Sequence, residues 1–431
     1  MTMSAAALVQ RFRLDVTLSL GARALEAGAK FGLYALAARA LGGHAAGQFF
    51  LALSVVHIVA TIARLGLEKP ITRHVAAELA VGHATAARRA ALKGSAAILA
   101  ASVLAALGLA MAAPIMAHDW LHQPDMVGAL LLAALVVPVQ NAAYSLAYVL
   151  VGLERSAAAQ LVMNALAPTL CLAALVLGMR SLDGLLVAYA GAFAVCIGLG
   201  LIFLRRDLRG TGHRGAVSSS QAHEPLPSLW SSARPLFVVE VAQAALLSVP
   251  VLAIGIFSDP ASVSVFSLAS RLSMLVTTVV LSLGAMAAPV FARHYRLGDW
   301  DALRLAASRN RRLTILFCLP LILLMTLGAG PLLTLLGVDA VMGVPVLLVL
   351  LCGQLVFCLL PSRDVLLAMA GEGARLRRLS LWQLALCCGL CALMIPAGGA
   401  LGAAFASATT WIAGAVALAW TARRRFPRLR A

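Results

Sequence analysis

Long apolar stretches alternate with short polar segments along almost the whole chain. Most stretches hold about 20 residues or more, which is the length an α-helix needs to cross the hydrocarbon core of a bilayer. The pattern predicts twelve membrane-spanning helices, at 16–39, 46–68, 94–117, 127–150, 157–178, 184–204, 234–257, 263–290, 313–336, 342–368, 379–397 and 400–421.

The polar connections between these stretches alternate in charge. One set is basic and comprises residues 69–93, 205–234, 293–312, 375–378 and 423–430. The other set is short and nearly free of Lys and Arg, and comprises residues 118–126, 258–262, 337–341 and 397–399. Positively charged connections stay in the cytoplasm, so the basic set and both termini are predicted to be cytoplasmic. Because both termini are then on the same side of the membrane, the number of spans must be even.

The longest polar stretch, residues 207–229, is rich in Gly, Ser and Pro and is typical of a flexible linker. It divides the chain into a first lobe at 1–206 and a second at 230–431, each with six predicted spans. Residues 70–74 and 289–294 are weakly similar to each other and follow the second span of each half. The predicted fold class is therefore an all-α polytopic membrane protein with two six-helix bundles around a central cavity.

Composition excludes several classes of protein. Of 431 residues, 62% are apolar and 12% are charged, whereas soluble domains are about half apolar and a quarter charged. A net charge of +17 would favour nucleic-acid binding in a soluble protein, but here the basic residues follow the topology, so no nucleic-acid partner is expected. The sequence shows no phosphate loop, metal-ligand run or nucleophile motif, and it predicts neither an enzyme, nor a cofactor, nor a metal site.

Charged residues inside the predicted spans point to a functional interior. Each costs about 2.5–3.5 kcal/mol at the centre of a span, so it must face a cavity, a partner or the bundle interior. They recur at steps of three and four residues in corresponding helices of the two halves: Arg23, Glu26 and Lys30 in the first span, His57, Arg64 and Glu68 in the second, Glu240 in the seventh and Arg271 in the eighth. This arrangement predicts a hydrated, net cationic cavity. Two alternatives also stay open. The side chains of Arg64, Glu68, Arg363 and Asp364 extend from the cytoplasmic helix ends to the surface, and His57 is an ordinary interior histidine.

Several segments follow one another in an order shared with a known family. They are residues 37–47, Phe49-Phe50, 65–67, 265–272 with Pro289 and Arg293, 366–371, 395–396 and 402–404. Together they resemble the polysaccharide (O-antigen-type) flippases of the multidrug/oligosaccharidyl-lipid/polysaccharide exporter superfamily, over about residues 10–425. The peptidoglycan-precursor branch of that superfamily usually has fourteen spans, whereas twelve are predicted here.

The resemblance implies that the protein moves a polyprenyl-diphosphate-linked oligosaccharide from the cytoplasmic to the periplasmic leaflet of a bacterial inner membrane by alternating access. The cationic cavity residues of that family correspond to Arg23, Lys30, Arg64 and Arg271. Implied partners are the lipid-linked glycan, membrane lipid, a polysaccharide polymerase and glycosyltransferases, in the biosynthesis of lipopolysaccharide or exopolysaccharide. Glu26, His57 and Glu240 are the groups placed to exchange protons at depth, and we expect at least one of them to couple transport to pH.

Three other functions remain open from the sequence. A cation-coupled small-molecule or multidrug exporter of the same superfamily would use an acid in the first or seventh helix, for which Glu26 and Glu240 are candidates. A membrane-embedded glycan enzyme would need larger outside loops than these. A scaffold that recruits biosynthetic enzymes through its basic loops would not need the charged residues of the cavity.

Overall fold

A computed structural model describes residues 5–210, 228–297, 299–361, 363–369 and 372–425. Within these ranges it contains helices and connecting turns but no strand. The helices are α1 (Ala5–Ala63), α2 (Glu68–Ala80), α3 (Ala84–Ile115), α4 (Met126–Gly152), α5 (Ser156–Gln160), α6 (Leu166–Val176), α7 (Leu182–Gly210), α8 (Leu229–Phe257), α9 (Pro260–Leu297), α10 (Trp300–Leu327), α11 (Ala329–Leu335), α12 (Ala340–Leu359), α13 (Arg363–Met369) and α14 (Gly373–Arg425). Two π-helical turns, Met116–Trp120 and Leu161–Ala165, follow α3 and α5.

Among the described residues, ten continuous helical stretches are long and apolar enough to cross a membrane, judged by length and composition. Two of them contain a break at a glycine with positive φ, a conformation that residues with a side chain rarely adopt. Gly42 in α1 has φ 79° and Gly399 in α14 has φ 51°. The ten stretches therefore comprise twelve helical segments, which confirms the predicted fold class.

Some boundaries differ from the prediction. The tenth span was expected to run to residue 368, but α12 ends at Leu359 and the short α13 begins at Arg363. Proline disfavours a helical conformation in the preceding residue, and Leu360, directly before Pro361, is indeed non-helical with ψ 45°. The second span was expected to run to residue 68, but α1 ends at Ala63. Leu65 and Gly66 both have positive φ and form a turn, after which α2 begins at Glu68.

The chain forms two compact units whose boundaries differ from a simple division in the middle. The first consists of Met1–Leu41 and Ala52–Val241, and the second of Gly42–Leu51 and Ala242–Ala431. In the first, α4 packs against α2, α3 and α7; in the second, α9 and α12 pack against α10 and α14. The predicted linker, 207–229, lies largely outside the described residues, and the lobe limits derived from it stay a prediction.

Apolar side chains cover the outside of several helices. Leu104, Met111, Leu324 and Leu327 are all more than half exposed, although each belongs to a stretch predicted to span the membrane. Polar side chains such as Asn141, by contrast, are buried between helices. Large exposed apolar surface is unusual for a protein in water and is expected for one whose solvent is lipid.

Candidate functional site

The structure places most of the predicted site residues in the first unit. Glu26, Lys30, His57, Arg64 and Glu240 belong to it, whereas Arg271 lies on α9 in the second unit. Arg23 is part of α1, but its side chain lies outside the described residues. The charged groups of the first unit form two polar clusters.

The first cluster joins α1 to α5. Lys30 Nζ donates a hydrogen bond of 2.6 Å to Glu26 Oε1, one helical turn away. Gln160 Nε2 donates to the other carboxylate oxygen of Glu26 at 2.7 Å. Glu26 is therefore held from both sides, while the side chain of Lys30 remains 41% exposed. Because an ammonium group carries three donors, Lys30 can bind a further acceptor without leaving Glu26.

The second cluster is built around Arg64, at the end of α1. Its Nε donates to Glu68, its Nη1 to Asn141 Oδ1 at 3.2 Å, and its Nη2 to Thr61 Oγ1 at 2.7 Å. The guanidinium also lies 5.4 Å from the ring centre of Tyr144. Arg64 and Glu68 are only 7% and 8% exposed, so neither side chain extends to the surface. The planar guanidinium suits this arrangement, because its three nitrogen atoms donate to residues of three helices, namely α2, α4 and α1.

Asn141 connects this cluster to the surrounding helices. Its Nδ2 donates to the carbonyl of Ala60 on α1 at 2.9 Å and to Ser102 Oγ on α3 at 2.8 Å. Its Oδ1 accepts from Arg64. The side chain of Asn141, which belongs to α4, is therefore hydrogen-bonded to Arg64, to α1 and to α3. A fully buried amide with partners on both sides fixes the relative positions of the helices that supply them.

A third ion pair lies next to Arg64 and was not predicted. Lys69 Nζ on α2 contacts Glu240 Oε1 on α8 at 2.7 Å, and the side chain of Lys69 is 67% exposed. Tyr148 on α4 is close enough to interact electrostatically with both Arg64 and Glu240. The Arg64 cluster and the Lys69–Glu240 pair therefore belong to one charged region of the first unit.

The described cations of these clusters each have an acid beside them. The sequence suggests a net cationic interior, but in the described part of the first unit Lys30, Arg64 and Lys69 each pair with one carboxylate, from Glu26, Glu68 and Glu240 respectively. The cations differ mainly in access. The side chains of Lys30 and Lys69 are partly exposed, whereas Arg64 is buried and three of its donors are hydrogen-bonded.

The two remaining predicted residues are His57 on α1 and Arg271 on α9. His57 is half-buried on α1, and its carbonyl accepts a hydrogen bond from Thr61. Arg271 is exposed, and its Nη1 lies 4.0 Å from the Met274 sulfur.

Sequence reasoning missed Lys69 and Ser102 altogether. Asn141 and Gln160 are polar residues within the predicted fourth and fifth spans, and polar residues at membrane depth are the signal that could have identified them. Lys69 was interpreted as the first residue of a cytoplasmic connection.

The fold defines a class: a multi-pass membrane protein built from long apolar helices. An inward-facing multidrug resistance MATE family transporter of the MOP superfamily matches with a TM-score of 0.72 at 16% identity, over 94% of this chain and 95% of the other. An outward-facing one matches with a TM-score of 0.63 at 16% identity, over 96% of each chain. A MOP superfamily transporter from Pyrococcus furiosus, noted for the reverse polarity of its binding pocket, gives 0.62 at 15% identity, over 97% and 95%. At such low identities, these structural matches show that the chains share a fold.

The sequence itself shows the family. Residues 14–294 match the family described as "Polysaccharide biosynthesis protein", and the chain belongs to it. Comparison with curated proteins finds no match. Family and fold together confirm the predicted resemblance.

Proposed function

We propose that the protein is a transporter that flips a polyprenyl-diphosphate-linked oligosaccharide from the cytoplasmic to the periplasmic leaflet by alternating access, for surface polysaccharide biosynthesis. The observation that carries the proposal is the match of residues 14–294 to the polysaccharide-biosynthesis family. It is supported by the long apolar helices and by the lysines that remain partly exposed beside their acids. On this proposal the protein resides in a bacterial inner membrane with cytoplasmic termini, performs no catalysis, and works beside a polymerase and glycosyltransferases.

The head group of such a substrate requires cations where it enters and crosses the membrane. A diphosphate cannot enter hydrocarbon unpaired, because an isolated buried charge costs many kcal/mol. Lys30 and Lys69 are both open to a ligand and each is held in place by a single carboxylate. Charge-assisted hydrogen bonds from such groups would replace the hydration of the phosphates. Arg271, which is exposed on α9, is a further candidate for this role.

Arg64 fits a positioning role better than direct binding. Three of its donors are committed to Glu68, Asn141 and Thr61, and the group is buried. On this proposal Arg64 fixes the turn between α1 and α2, and thereby the position of Lys69.

Binding measurements with purified variants test the proposal. The ligand would be a short-chain polyprenyl diphosphate carrying one sugar, and the readout its apparent Kd by native mass spectrometry in detergent. Lys30→Gln and Lys69→Gln should each weaken binding about tenfold, the loss expected for one charge-assisted hydrogen bond. Lys93→Gln is the matched control, since Lys93 is an exposed lysine on α3. Equal Kd values in all four proteins would contradict the proposed role of the two lysines.

A cation-coupled exporter of small molecules is the second candidate. It is favoured by one observation: among the described residues, the ion pairs of Glu26 and Glu240 are with lysines that remain partly exposed and could exchange for a cationic substrate. Efflux of a lipophilic cation from proteoliposomes that is abolished by Glu26→Gln or Glu240→Gln, without any response to the diphosphate lipid, would support this function over the first.

A further inference from the structure

A second basic site lies in the second unit, where the ends of four helices meet. Leu366 and Leu367 of α13 are buried against Phe291 of α9, Leu303 of α10 and Ala422 of α14. This apolar cluster fixes the start of α13 even though the helix is short. It thereby fixes Arg363, the first residue of α13, at the edge of the cluster.

Arg363 is surrounded by like charge. Its Nε is buried and has no hydrogen-bond partner among the described residues. Arg311 of α10 and Arg423 of α14 are close enough for their charges to act on it. Arg363 lies between the membrane-spanning stretches, and burial, together with these two neighbours, lowers the pKa of its guanidinium. An unsatisfied buried N–H beside two further cations is unfavourable unless a ligand compensates for it.

Nearby described groups do not neutralise these three arginines. The carboxylate of Glu372 accepts from Arg425 Nε at 2.6 Å and pairs with Arg375 at 3.3 Å. Arg424 lies 3.6 Å from the ring centre of Trp420. Arg311 and Arg423 are both exposed, so two accessible guanidinium groups act on Arg363, whose Nε is buried. The side chain of Asp364, the residue after Arg363, lies outside the described part of the chain.

The position of the three residues suggests the kind of ligand. Arg363 follows the membrane-spanning stretch that ends at Leu359, and Arg423 lies at the end of the stretch that finishes at Arg425. Arg311 lies two residues before the predicted ninth span, 313–336. All three sit at the ends of apolar segments, where lipid head groups are found. A planar guanidinium is well suited to a phosphate, because it offers two parallel donors.

We propose that Arg363, Arg311 and Arg423 form a phosphate-binding site, separate from the charged region of the first unit. The shared chemistry is a phosphate group with at least one ionised oxygen facing Arg363 Nε. Its two possible sources are the head group of an anionic phospholipid and free phosphate. This inference does not rest on the flippase proposal, because it requires no substrate to move.

Lipid and phosphate binding to the full-length protein test the site. Purified protein would be titrated with phosphatidylglycerol, with phosphatidylcholine and with inorganic phosphate, and the bound species counted by native mass spectrometry. The wild type should bind one phosphatidylglycerol or one phosphate well above the level of phosphatidylcholine. Arg363→Gln and Arg311→Gln should weaken this binding about tenfold or more, and Arg363→Lys should restore part of it. Arg304→Gln, an exposed arginine of the same α10, is the matched control and should bind as the wild type does.

The two sources give different results, and both support the site. A response to phosphatidylglycerol alone identifies a lipid site, and a response to inorganic phosphate identifies a site for a free anion. Binding that is unchanged in Arg363→Gln, or no binding above phosphatidylcholine in the wild type, would overturn the proposal.

Stability without ligand adds a second readout. If Arg363 lacks an internal partner, Arg363→Gln should unfold at the same temperature as the wild type or higher, because an uncompensated charge has been removed. If Asp364 is its partner, Arg363→Gln and Asp364→Asn should each lower the unfolding temperature, since each leaves one charge unpaired. That second result would also overturn the proposal.

Discussion

Removing the guanidinium of Arg64 should destabilise the first unit severely. In Arg64→Met the carboxylate of Glu68, which is 8% exposed, loses its countercharge, and Asn141 Oδ1 and Thr61 Oγ1 lose their donor. Leaving one member of a buried ion pair without its partner costs about 3–5 kcal/mol. For a unit of this size that is a fall of about 6–20 °C in the apparent Tm. Thermal unfolding of purified protein in detergent, followed by tryptophan fluorescence, measures it.

Two further variants separate this effect from a general loss of charge. Lys69→Gln breaks the neighbouring pair with Glu240, but Lys69 is 67% exposed and should contribute at most about 1 kcal/mol. The double variant Arg64→Met/Glu68→Leu removes both buried charges and should recover most of the lost stability. If Arg64 is a positioning residue, the double variant should also retain most transport activity. A stable Arg64→Met protein, or a double variant no more stable than the single one, would refute the reasoning.

Three other predictions concern transport and topology. Arg271→Ala should abolish flipping at normal membrane abundance, and Arg271→Lys should restore it only in part, because a point charge replaces a planar fork; normal surface glycan in Arg271→Ala cells would remove the residue from the mechanism. Glu26→Gln, His57→Gln and Glu240→Gln combined should flatten the pH dependence of transport measured in proteoliposomes, and an unaltered profile would point to flipping without proton coupling. A single cysteine at position 218, in a cysteine-free background, should react with a membrane-impermeant maleimide only after the cytoplasmic side is opened; labelling from the periplasm would reverse the predicted orientation.

The fold was largely predictable because its signals are local. Runs of apolar residues locate the spans, and the glycine-containing gaps near 42 and 399 separate helices that are otherwise continuous. Where the prediction was wrong, a local signal had been given too little weight. Pro361 ends α12 before Arg363, although the predicted span continues through residue 368.

The site was only partly predictable because its partners come from distant parts of the chain. The Glu26–Lys30 pair follows from the four-residue period of a helix. The Arg64–Glu68 pair has the same spacing, but it crosses the turn at Leu65 and Gly66, which the sequence pattern did not predict. The bond from Lys69 to Glu240 joins residues 171 positions apart, and that from Gln160 to Glu26 joins residues 134 apart. No periodicity within one helix indicates such contacts. The sequence therefore indicates which charged residues lie in the spans, but not that Lys69 pairs with Glu240.

Translocation of the lipid itself tests the central claim most directly. The protein would be reconstituted into liposomes containing a fluorescent polyprenyl-diphosphate-linked sugar, and a membrane-impermeant quencher would report how much of it lies in the outer leaflet over time. We expect the protein to accelerate its exchange between leaflets, with Lys30→Gln slower and Lys93→Gln equal to the wild type. Exchange no faster than in protein-free liposomes, or equally fast exchange of a neutral polyprenol-linked sugar, would contradict a transporter that recognises the diphosphate.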